Sequence, residues 1–298
     1  MNNKKSVSRR KFIQKSSALT AGALIGTNTV IGAPAIIKNL FKPNSLINGV
    51  QLGVITYSFR SMPDQSAEAT LKYILESGMS AVELMGGPAE SYAGMPESKV
   101  SMREAWPLMR KQRNGEELTE DEKKELADMR AQMDDHRKLV ANWRESVSMK
   151  KFEQFGKKYK AAGVSIYGFK PRAFGKDNTD AEIDYGFRAA KALGASHVTL
   201  EHPSDDAHTL KLGKMAAKHK VKVAYHGHEQ QTPTFWDTAL SQSPYNAMNP
   251  DMGHYIAAGN TKPLDLLKKY NKNISSMHLK DRQTPENGKD NLIWGSGD

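Results

Sequence analysis

The sequence predicts an α/β protein in which parallel strands alternate with helices and close into a (β/α)8 TIM barrel. Short apolar segments with strand character alternate with segments whose apolar residues recur at helical spacing. Several strand-like segments end directly in histidine or carboxylate residues, which a parallel barrel collects at one face. Residues 36–298 match the length of one such barrel, so no second domain is required.

The first 35 residues are interpreted as an export signal. Arg9 and Arg10 form a twin-arginine pattern, an apolar run rich in small residues follows, and Ala33-Pro34-Ala35 offers a cleavage site. The apolar run is shorter than the roughly 20 residues that span a bilayer, so no stable membrane span is expected after signal removal. We therefore predict a twin-arginine signal peptide over residues 1–35, a barrel domain over residues 36–298, and a periplasmic location.

The barrel is expected to begin with a strand–helix–strand unit. Residues 50–59 are strand-like, residues 67–76 carry apolar side chains at helical spacing, and residues 80–85 form a second strand. Glu83 lies inside that second strand, where an unpaired carboxylate would be costly. It is therefore expected either to face the site and contact the substrate or to pair with a lysine.

Residues 88–150 interrupt the repeat and are predicted to form an insertion. Residues 117–150 are highly charged, with apolar side chains at helical spacing, and Thr119 followed by three acidic residues predicts a helix start. We interpret this helix as the one after strand two, enlarged at the top face of the barrel. A lid or a dimer arm is the alternative.

The repeat resumes with strands predicted at residues 164–169 and 197–200. Lys170 follows the first of these strands and Glu201 follows the second. A carboxylate that leaves a strand at the top face is a candidate catalytic group. A salt bridge between the two side chains is the alternative, and it would still place both at the site.

Three more strand-like segments, at residues 221–225, 245–250 and 274–277, end in ligand-type residues. These residues are His226 and His228, then Asp251 and His254, then His278 and Lys280. Imidazole nitrogen and carboxylate oxygen are ligands for Zn, Mn, Co and Fe ions. A single histidine here would more often be a turn or capping residue, but three consecutive strand ends of this kind predict a divalent-metal or acid–base site.

Seven strand–helix steps are recognisable, and the last unit of an eight-fold barrel is apparently missing. Residues 283–298 have the composition of a loop. Seven strands alone would leave unpaired edges beside the core, which soluble proteins avoid. We therefore expect that the chain is C-terminally incomplete, that the strands close differently, or that a partner fills the gap.

Charge and composition exclude several functions. The formal net charge is +10, but the first 35 residues hold six basic and no acidic residues, which leaves +4 for the remainder. This mild excess is not typical of nucleic-acid binding. The absence of cysteine excludes disulfides, thiolate metal sites and a cysteine nucleophile. The predicted partner is a small molecule and not a nucleic acid, and a homo-oligomer is left open.

Residues 50–298 resemble the xylose isomerase-like barrel superfamily, which includes sugar phosphate isomerases and epimerases. The resemblance rests on VEL at 82–84, HGH at 226–228, D-x-G-H at 251–254 and HLKD at 278–281. The last two motifs with a helix between them are the most specific part. The resemblance implies a divalent metal (Mn, Co, Zn or Fe) and a sugar or keto-sugar substrate.

The resemblance also implies roles for individual residues. The family metal is usually held by Glu, Asp, His and Glu, so Asp251 and His278 take the middle roles. His226 stands where the first Glu is common, Glu201 would supply that carboxylate, and the last Glu would lie beyond residue 298. The predicted metal ligands are Glu201, His226, Asp251 and His278; the proton-transfer groups are Glu201 and His228; the substrate-binding residues are Glu83, Lys170, His254 and Lys280.

The implied chemistry is removal of a proton next to a sugar carbonyl that the metal polarises. The first hypothesis is a metal-dependent isomerase or epimerase of a free or keto sugar, since phosphorylated sugars are cytoplasmic metabolites. A 3-keto-glycoside lyase or dehydratase is the alternative, because the same enediolate serves both reactions. A non-catalytic periplasmic sugar-binding barrel is the third hypothesis, and it predicts that a chelator leaves sugar binding unchanged.

Overall fold

The structure, a computed structural model, describes residues 42–298. Residues 43–298 form one compact unit. The predicted signal peptide over residues 1–35 lies outside the described residues. Within the described range, no helix combines the length and the apolar character that a membrane crossing requires.

Short strands alternate with helices along this range. The strands are β1 (Leu46–Ile47), β2 (Val50–Gln51), β3 (Val54–Ile55), β4 (Ala81–Met85), β5 (Ser165–Lys170), β6 (His197–Glu201), β7 (Lys222–His226), β8 (Asn246–Asn249), β9 (Asp281–Arg282) and β10 (Asn291–Leu292). The helices are α1 (Ala67–Glu76), α2 (Gly86–Tyr92), α3 (Met102–Arg113), α4 (Glu120–Ser146), α5 (Lys150–Ala161), α6 (Asp180–Leu193), α7 (Asp206–His219), α8 (Asp237–Gln242), α9 (Met252–Ala257) and α10 (Pro263–Lys269). Single 3-10 turns occupy Thr56–Phe59 and Pro285–Asn287.

The main sheet contains β3 to β8 in sequence order, and each strand pairs in parallel with the next. Helices connect the strands, so the predicted α/β fold class is confirmed. Because the strands run in the same direction, residues that follow them meet at one face of the sheet. The missing eighth strand–helix unit stays a prediction.

Two predicted strands differ from the structure. The first is confined to Val54–Ile55, since the preceding residues form the antiparallel hairpin of β1 and β2 and the following ones a 3-10 turn. The strand predicted at residues 274–277 does not form a continuous ladder with its neighbour. Two isolated parallel bridges, Met248 to Ile274 and Asp251 to His278, form instead. The predicted loop at residues 283–298 contains β10, which pairs with β9.

A large aromatic and aliphatic core lies between the sheet and its helices. Its largest fully buried side chains include Trp236, Tyr159, Phe152 and Phe187. Helix α6 shows why the helices begin and end where they do. Its N-terminus is closed by a capping box at Thr179, and it ends at Gly194 with φ 82°, a conformation that glycine adopts without steric cost.

The predicted insertion folds as the helices α2, α3 and α4, which follow β4 and add no strand to the sheet. Helix α4 begins with the expected Thr119, which forms a capping box with Glu122. At its other end, buried Arg144 lies 2.9 Å from Glu182 Oε1 and 3.2 Å from Glu90 Oε1. These ion pairs fasten α4 to α2 within the insertion and to α6 outside it.

Candidate active site

His226 ends β7 with a single ring nitrogen available for a ligand. Its ring is buried, and Nδ1 lies 2.8 Å from the side-chain oxygen of Asn249, the last residue of β8. An amide oxygen only accepts hydrogen bonds, so Nδ1 carries the proton and Nε2 keeps a lone pair. Burial lowers the pKa of His226 to about 4, and the neighbouring His278 and Lys170 side chains add to this effect.

Asp251 follows β8 and is fully buried. Its Oδ1 accepts a hydrogen bond from the backbone N–H of His254 at 3.1 Å, as the N-cap of α9, and its Oδ2 contacts Lys280. Burial alone would raise the pKa of this carboxyl, but the bonds from Lys280 and from the backbone of His254 lower it. Asp251 is therefore an ionised carboxylate inside the protein and a candidate oxygen ligand.

His278 lies beside Asp251 because the two residues form a β-bridge. Its Nε2 is 2.8 Å from Glu83 Oε2, and its Nδ1 is 3.9 Å from Asp251 Oδ2. Since Nε2 is bonded to Glu83, Nδ1 is the nitrogen that faces the other candidate ligands. A carboxylate behind a histidine ligand is a common way to orient the ring toward a metal.

Ligand atoms of His226, Asp251 and His278 all lie within 4.8 Å of one another. Two imidazoles and one carboxylate suit Zn, Mn, Co or Fe, and each imidazole has its other nitrogen bonded to a buried acceptor. The residues present therefore fit a divalent ion. Glu201, His226 and His228 form a second such group, but His226 has one free nitrogen, so the two groups compete for it.

Glu83 lies behind the candidate ligands. It is fully buried, Oε1 accepts a hydrogen bond from the Thr199 hydroxyl at 2.6 Å, and Oε2 contacts His278. Burial alone would raise the pKa of this carboxyl, but the hydrogen bonds from His278 and Thr199 lower it to about 2. Both oxygens of Glu83 are thus bonded to protein groups. Its contact at the site is with the candidate ligand His278, not with a substrate.

Glu201 is the half-exposed carboxylate of the site. Its Oε1 lies 2.7 Å from Lys170 Nζ and its Oε2 lies 3.0 Å from His228 Nε2. Burial alone would raise the pKa of Glu201, but the charge and hydrogen bond of Lys170 lower it. The Lys170 salt bridge considered from the sequence is thus present, and it places both residues at the site.

His254 presents an N–H group toward the same region. Its Nδ1 lies 2.7 Å from Arg282 Nη1. A guanidinium only donates, so Nδ1 accepts and the ring proton is on Nε2, 4.0 Å from Asp251 Oδ2. Burial lowers the pKa of His254 to about 4 although the charge of Asp251 opposes this, so the ring is neutral at pH 7.

The structure brings together all the residues predicted for the site, with Glu83 behind the others. Sequence reasoning missed the polar residues that orient them: His197, Thr199, Asn249, Ser276 and Arg282. The sequence marked two of them as unusual, because Thr199 and Asn249 are polar residues within predicted strand segments. Arg282, four residues after His278, stands at the end of the HLKD motif.

No protein-family model matches the chain, and no curated protein is similar to it in sequence. Solved structures do match. A xylose isomerase domain protein from Planctomyces limnophilus has 16% identity and a TM-score of 0.50, over 87% of this chain and 84% of that one.

Two further structures show the same likeness. The probable 3-DHS dehydratase AsbF of petrobactin synthesis in Bacillus anthracis has 13% identity and a TM-score of 0.54, over 84% of this chain and 85% of that one. The IOLI protein, solved with a zinc atom, has 12% identity and a TM-score of 0.50, over 83% and 80% of the two chains. At these identities the likeness shows the fold.

Proposed function

We propose that the protein is a divalent-metal-dependent isomerase or epimerase that moves a proton next to the carbonyl group of a free or keto sugar. The observation that carries the proposal is the convergence of His226, Asp251 and His278 beside the Glu201–Lys170 ion pair. The xylose isomerase domain structure and the zinc atom of the IOLI structure support it.

His226 Nε2, Asp251 Oδ2 and His278 Nδ1 would hold the ion. When bound, the ion would withdraw electron density from the sugar carbonyl and so acidify the neighbouring C–H group. Glu83 and Asn249 keep the two imidazoles oriented through their other nitrogens. Glu201, predicted both as ligand and as base, is assigned to proton transfer because its side chain is half exposed and lies 3.0 Å from His228, a second proton carrier.

Glu201 acts as the base in this proposal. Its lowered pKa keeps it ionised, and it takes the proton while the electron pair of the C–H bond moves toward the carbonyl oxygen. Returning the proton to the adjacent carbon gives isomerisation, and delivering a proton to the other face of the same carbon gives epimerisation. Lys280 and the Nε2–H group of His254 would donate hydrogen bonds to substrate oxygens.

A lyase or dehydratase acting on a 3-keto-glycoside is the second candidate. His228 Nε2 lies 3.0 Å from Glu201 Oε2, so a second proton carrier stands next to the base. After Glu201 removes the proton, His228 would pass a proton to the oxygen on the β carbon while the C–O bond breaks, and this oxygen would leave as an alcohol or as water. The AsbF structure, described as a probable dehydratase, supports this candidate.

Export to the periplasm by the twin-arginine route is part of the proposal. Arg9, Arg10 and the short apolar run that follows support it. A periplasmic address favours a sugar without phosphate. Fractionation of cells that produce the full chain, compared with an Arg9→Lys and Arg10→Lys double variant, tests export: the wild type should reach the periplasm and the variant should stay in the cytoplasm.

To test the function, metal-stripped protein is first titrated with Co²⁺, and binding of the ion is monitored by visible absorption. We expect one ion per chain, lost in Asp251→Ala and His278→Ala and kept in Asp265→Ala, whose carboxylate is exposed on α10. Incubation of keto-sugars in D2O with the loaded protein should then give deuterium at the carbon next to the carbonyl, and Glu201→Gln should abolish it.

The outcomes separate the hypotheses. Exchange with a rearranged sugar product supports the isomerase or epimerase, whereas exchange with loss of an alcohol or water supports the lyase. Sugar binding of equal affinity with and without chelator, without any exchange, would rule out both enzymes in favour of a sugar-binding barrel.

A further inference from the structure

A chain of hydrogen bonds leads from a backbone carbonyl in β5 toward His226. Ser196 Oγ lies 3.0 Å from the carbonyl oxygen of Tyr167 and 2.9 Å from His197 Nδ1. A carbonyl oxygen only accepts, so the single proton of the Ser196 hydroxyl points to Tyr167. In this arrangement Ser196 Oγ accepts from His197, whose proton is then on Nδ1.

The same reasoning continues through Ser276. With its proton on Nδ1, neutral His197 accepts at Nε2, which lies 2.9 Å from Ser276 Oγ. The Ser276 hydroxyl therefore donates to His197, and its oxygen accepts from Asn249 Nδ2 at 2.6 Å. That bond turns the Asn249 side-chain oxygen toward His226 Nδ1, 2.8 Å away. The backbone carbonyl oxygen of Asn249 lies 3.1 Å from the same nitrogen and also only accepts, so both ends of the hydrogen-bonded chain require the same direction for its bonds.

Burial keeps this arrangement in place. His197 is 1% exposed and Asn249 fully buried, so neither has water as an alternative partner. Burial lowers the pKa of His197 to about 4, which keeps an accepting nitrogen at neutral pH. Gly168 supplies the space, because a Cβ at this position would lie 3.1 Å from His197 Nε2 and 3.3 Å from Glu83 Cγ.

We propose that His197, Ser276 and Asn249 are positioning residues that hold the proton of His226 on Nδ1 and so keep Nε2 available to a divalent cation. The role toward a cation rests on the proposed function, whereas the position of the proton is a property of the metal-free protein. The chain of hydrogen bonds runs from β6 through the segment after α10 to β8. It therefore connects the ring of His226 to three separate segments of the protein.

The test uses full-length protein with 15N-labelled histidine, metal-free, at pH 7.5. Long-range 1H–15N NMR correlations distinguish the two neutral forms of imidazole, and the signals are assigned with His197→Gln and His226→Gln. We expect His197 and His226 to carry the proton on Nδ1. In Ser276→Ala only the backbone carbonyl of Asn249, at 3.1 Å, would still hold the proton on Nδ1, so the share of the Nε2–H form of His226 should rise and the affinity for Co²⁺ should fall by about 10- to 100-fold.

Two matched variants complete the design. Ser276→Thr keeps the hydroxyl and should restore the Nδ1–H form and the Co²⁺ affinity, while Ser275→Ala removes a neighbouring hydroxyl outside the chain and should change neither. A proton on Nε2 of His226 in the wild type would overturn the proposal, and this needs no substitution that could prevent folding. Unchanged His226 signals and Co²⁺ affinity in Ser276→Ala would overturn it as well.

Failure of the proposed function gives a different result. In that case His226 would carry its proton on Nδ1 and Co²⁺ would bind, but no sugar would exchange its proton in D2O.

Discussion

Two buried carboxylates, Glu83 in β4 and Glu90 in α2, accept hydrogen bonds from different kinds of partner. Glu90 accepts from Arg144 at 3.2 Å and from the Tyr185 hydroxyl at 3.1 Å. Glu83 accepts from Thr199 and contacts His278. An arginine keeps its charge and offers only donors, whereas a histidine bonded through one nitrogen still has a second nitrogen for another ligand.

The difference teaches how to separate a structural charge cluster from a functional one. Burial and pairing are similar at both places, since Glu83 is fully buried and Glu90 is 4% exposed. What distinguishes the candidate site is a nitrogen that remains free to bind an ion after every structural hydrogen bond has been made. The Arg144 cluster fastens α4, and the Glu83 cluster orients a candidate ligand.

The largest expected effect is on the structural side of this comparison. Arg144→Met would leave Glu90 and Glu182 buried without their charged partner, which should lower the free energy of unfolding by about 3–5 kcal/mol. Urea unfolding measures the change. Arg137→Met, which breaks an exposed pair with Asp134 on the same helix, should cost less than about 1 kcal/mol. Equal effects of the two variants would contradict the structural role of Arg144.

Acidification should weaken the histidine network. The pKa of His197 is lowered from 6.5 to about 4 by burial, so below pH 6.5 the unfolded chain binds a proton that the folded protein does not. The stability contributed by neutral His197 is therefore present above pH 6.5 and is lost as the pH falls toward 4, by about 3 kcal/mol at most. Urea unfolding at pH 7 and pH 4.5 should show a smaller decrease for His197→Gln. Parallel decreases in the two proteins would exclude His197 as the cause.

A matched pair of substitutions sharpens the comparison. Glu83→Gln should lower the affinity for Co²⁺ by about 10- to 100-fold, because the group that orients His278 is weakened. Glu90→Gln should lower the free energy of unfolding and leave the Co²⁺ affinity unchanged. Titration by visible absorption measures the affinity in both variants. A Co²⁺ affinity reduced equally in both would mean that the two clusters are not independent.

The smallest expected effect lies at the far end of the insertion. Thr119→Ala removes the side-chain acceptor of the α4 capping box and should cost about 1 kcal/mol in urea unfolding. Thr179→Ala does the same at α6, where the helix packs against the core. Neither variant should change the Co²⁺ affinity, and a reduced affinity in Thr119→Ala alone would connect the insertion to the site.

The helices were the most predictable part of the fold. Thr119 and the residues after it predicted the start of α4, because capping depends on neighbours in sequence. The strands at residues 50–59 and 274–277 were predicted wrongly, because apolar character does not show whether a backbone ladder has a partner. Two isolated bridges, Met248 to Ile274 and Asp251 to His278, connect the segment near Ile274 to the sheet. A local sequence pattern does not indicate such pairings.

The site was predictable as far as its chemistry follows from strand ends. His226, Asp251 and His278 follow consecutive segments, and parallel topology places such residues together. The orientation of each ring could not be predicted, since it depends on Asn249 and Glu83, which lie 23 and 195 residues from their partners in the chain. An ordinary asparagine or serine has no sequence feature that marks it as the partner of a distant histidine.

The length of α4 has a mechanical consequence. The helix has 27 residues, with Val140 and Arg144 buried near its C-terminus, and Leu126 near its N-terminus buried in a separate small cluster with Leu108 and Leu118. At 1.5 Å per residue, Arg144 is roughly 37 Å from Thr119. A rotation of about 5° around Arg144 would therefore carry the Thr119 end, together with the part of α3 that packs against Leu126, through roughly 3 Å.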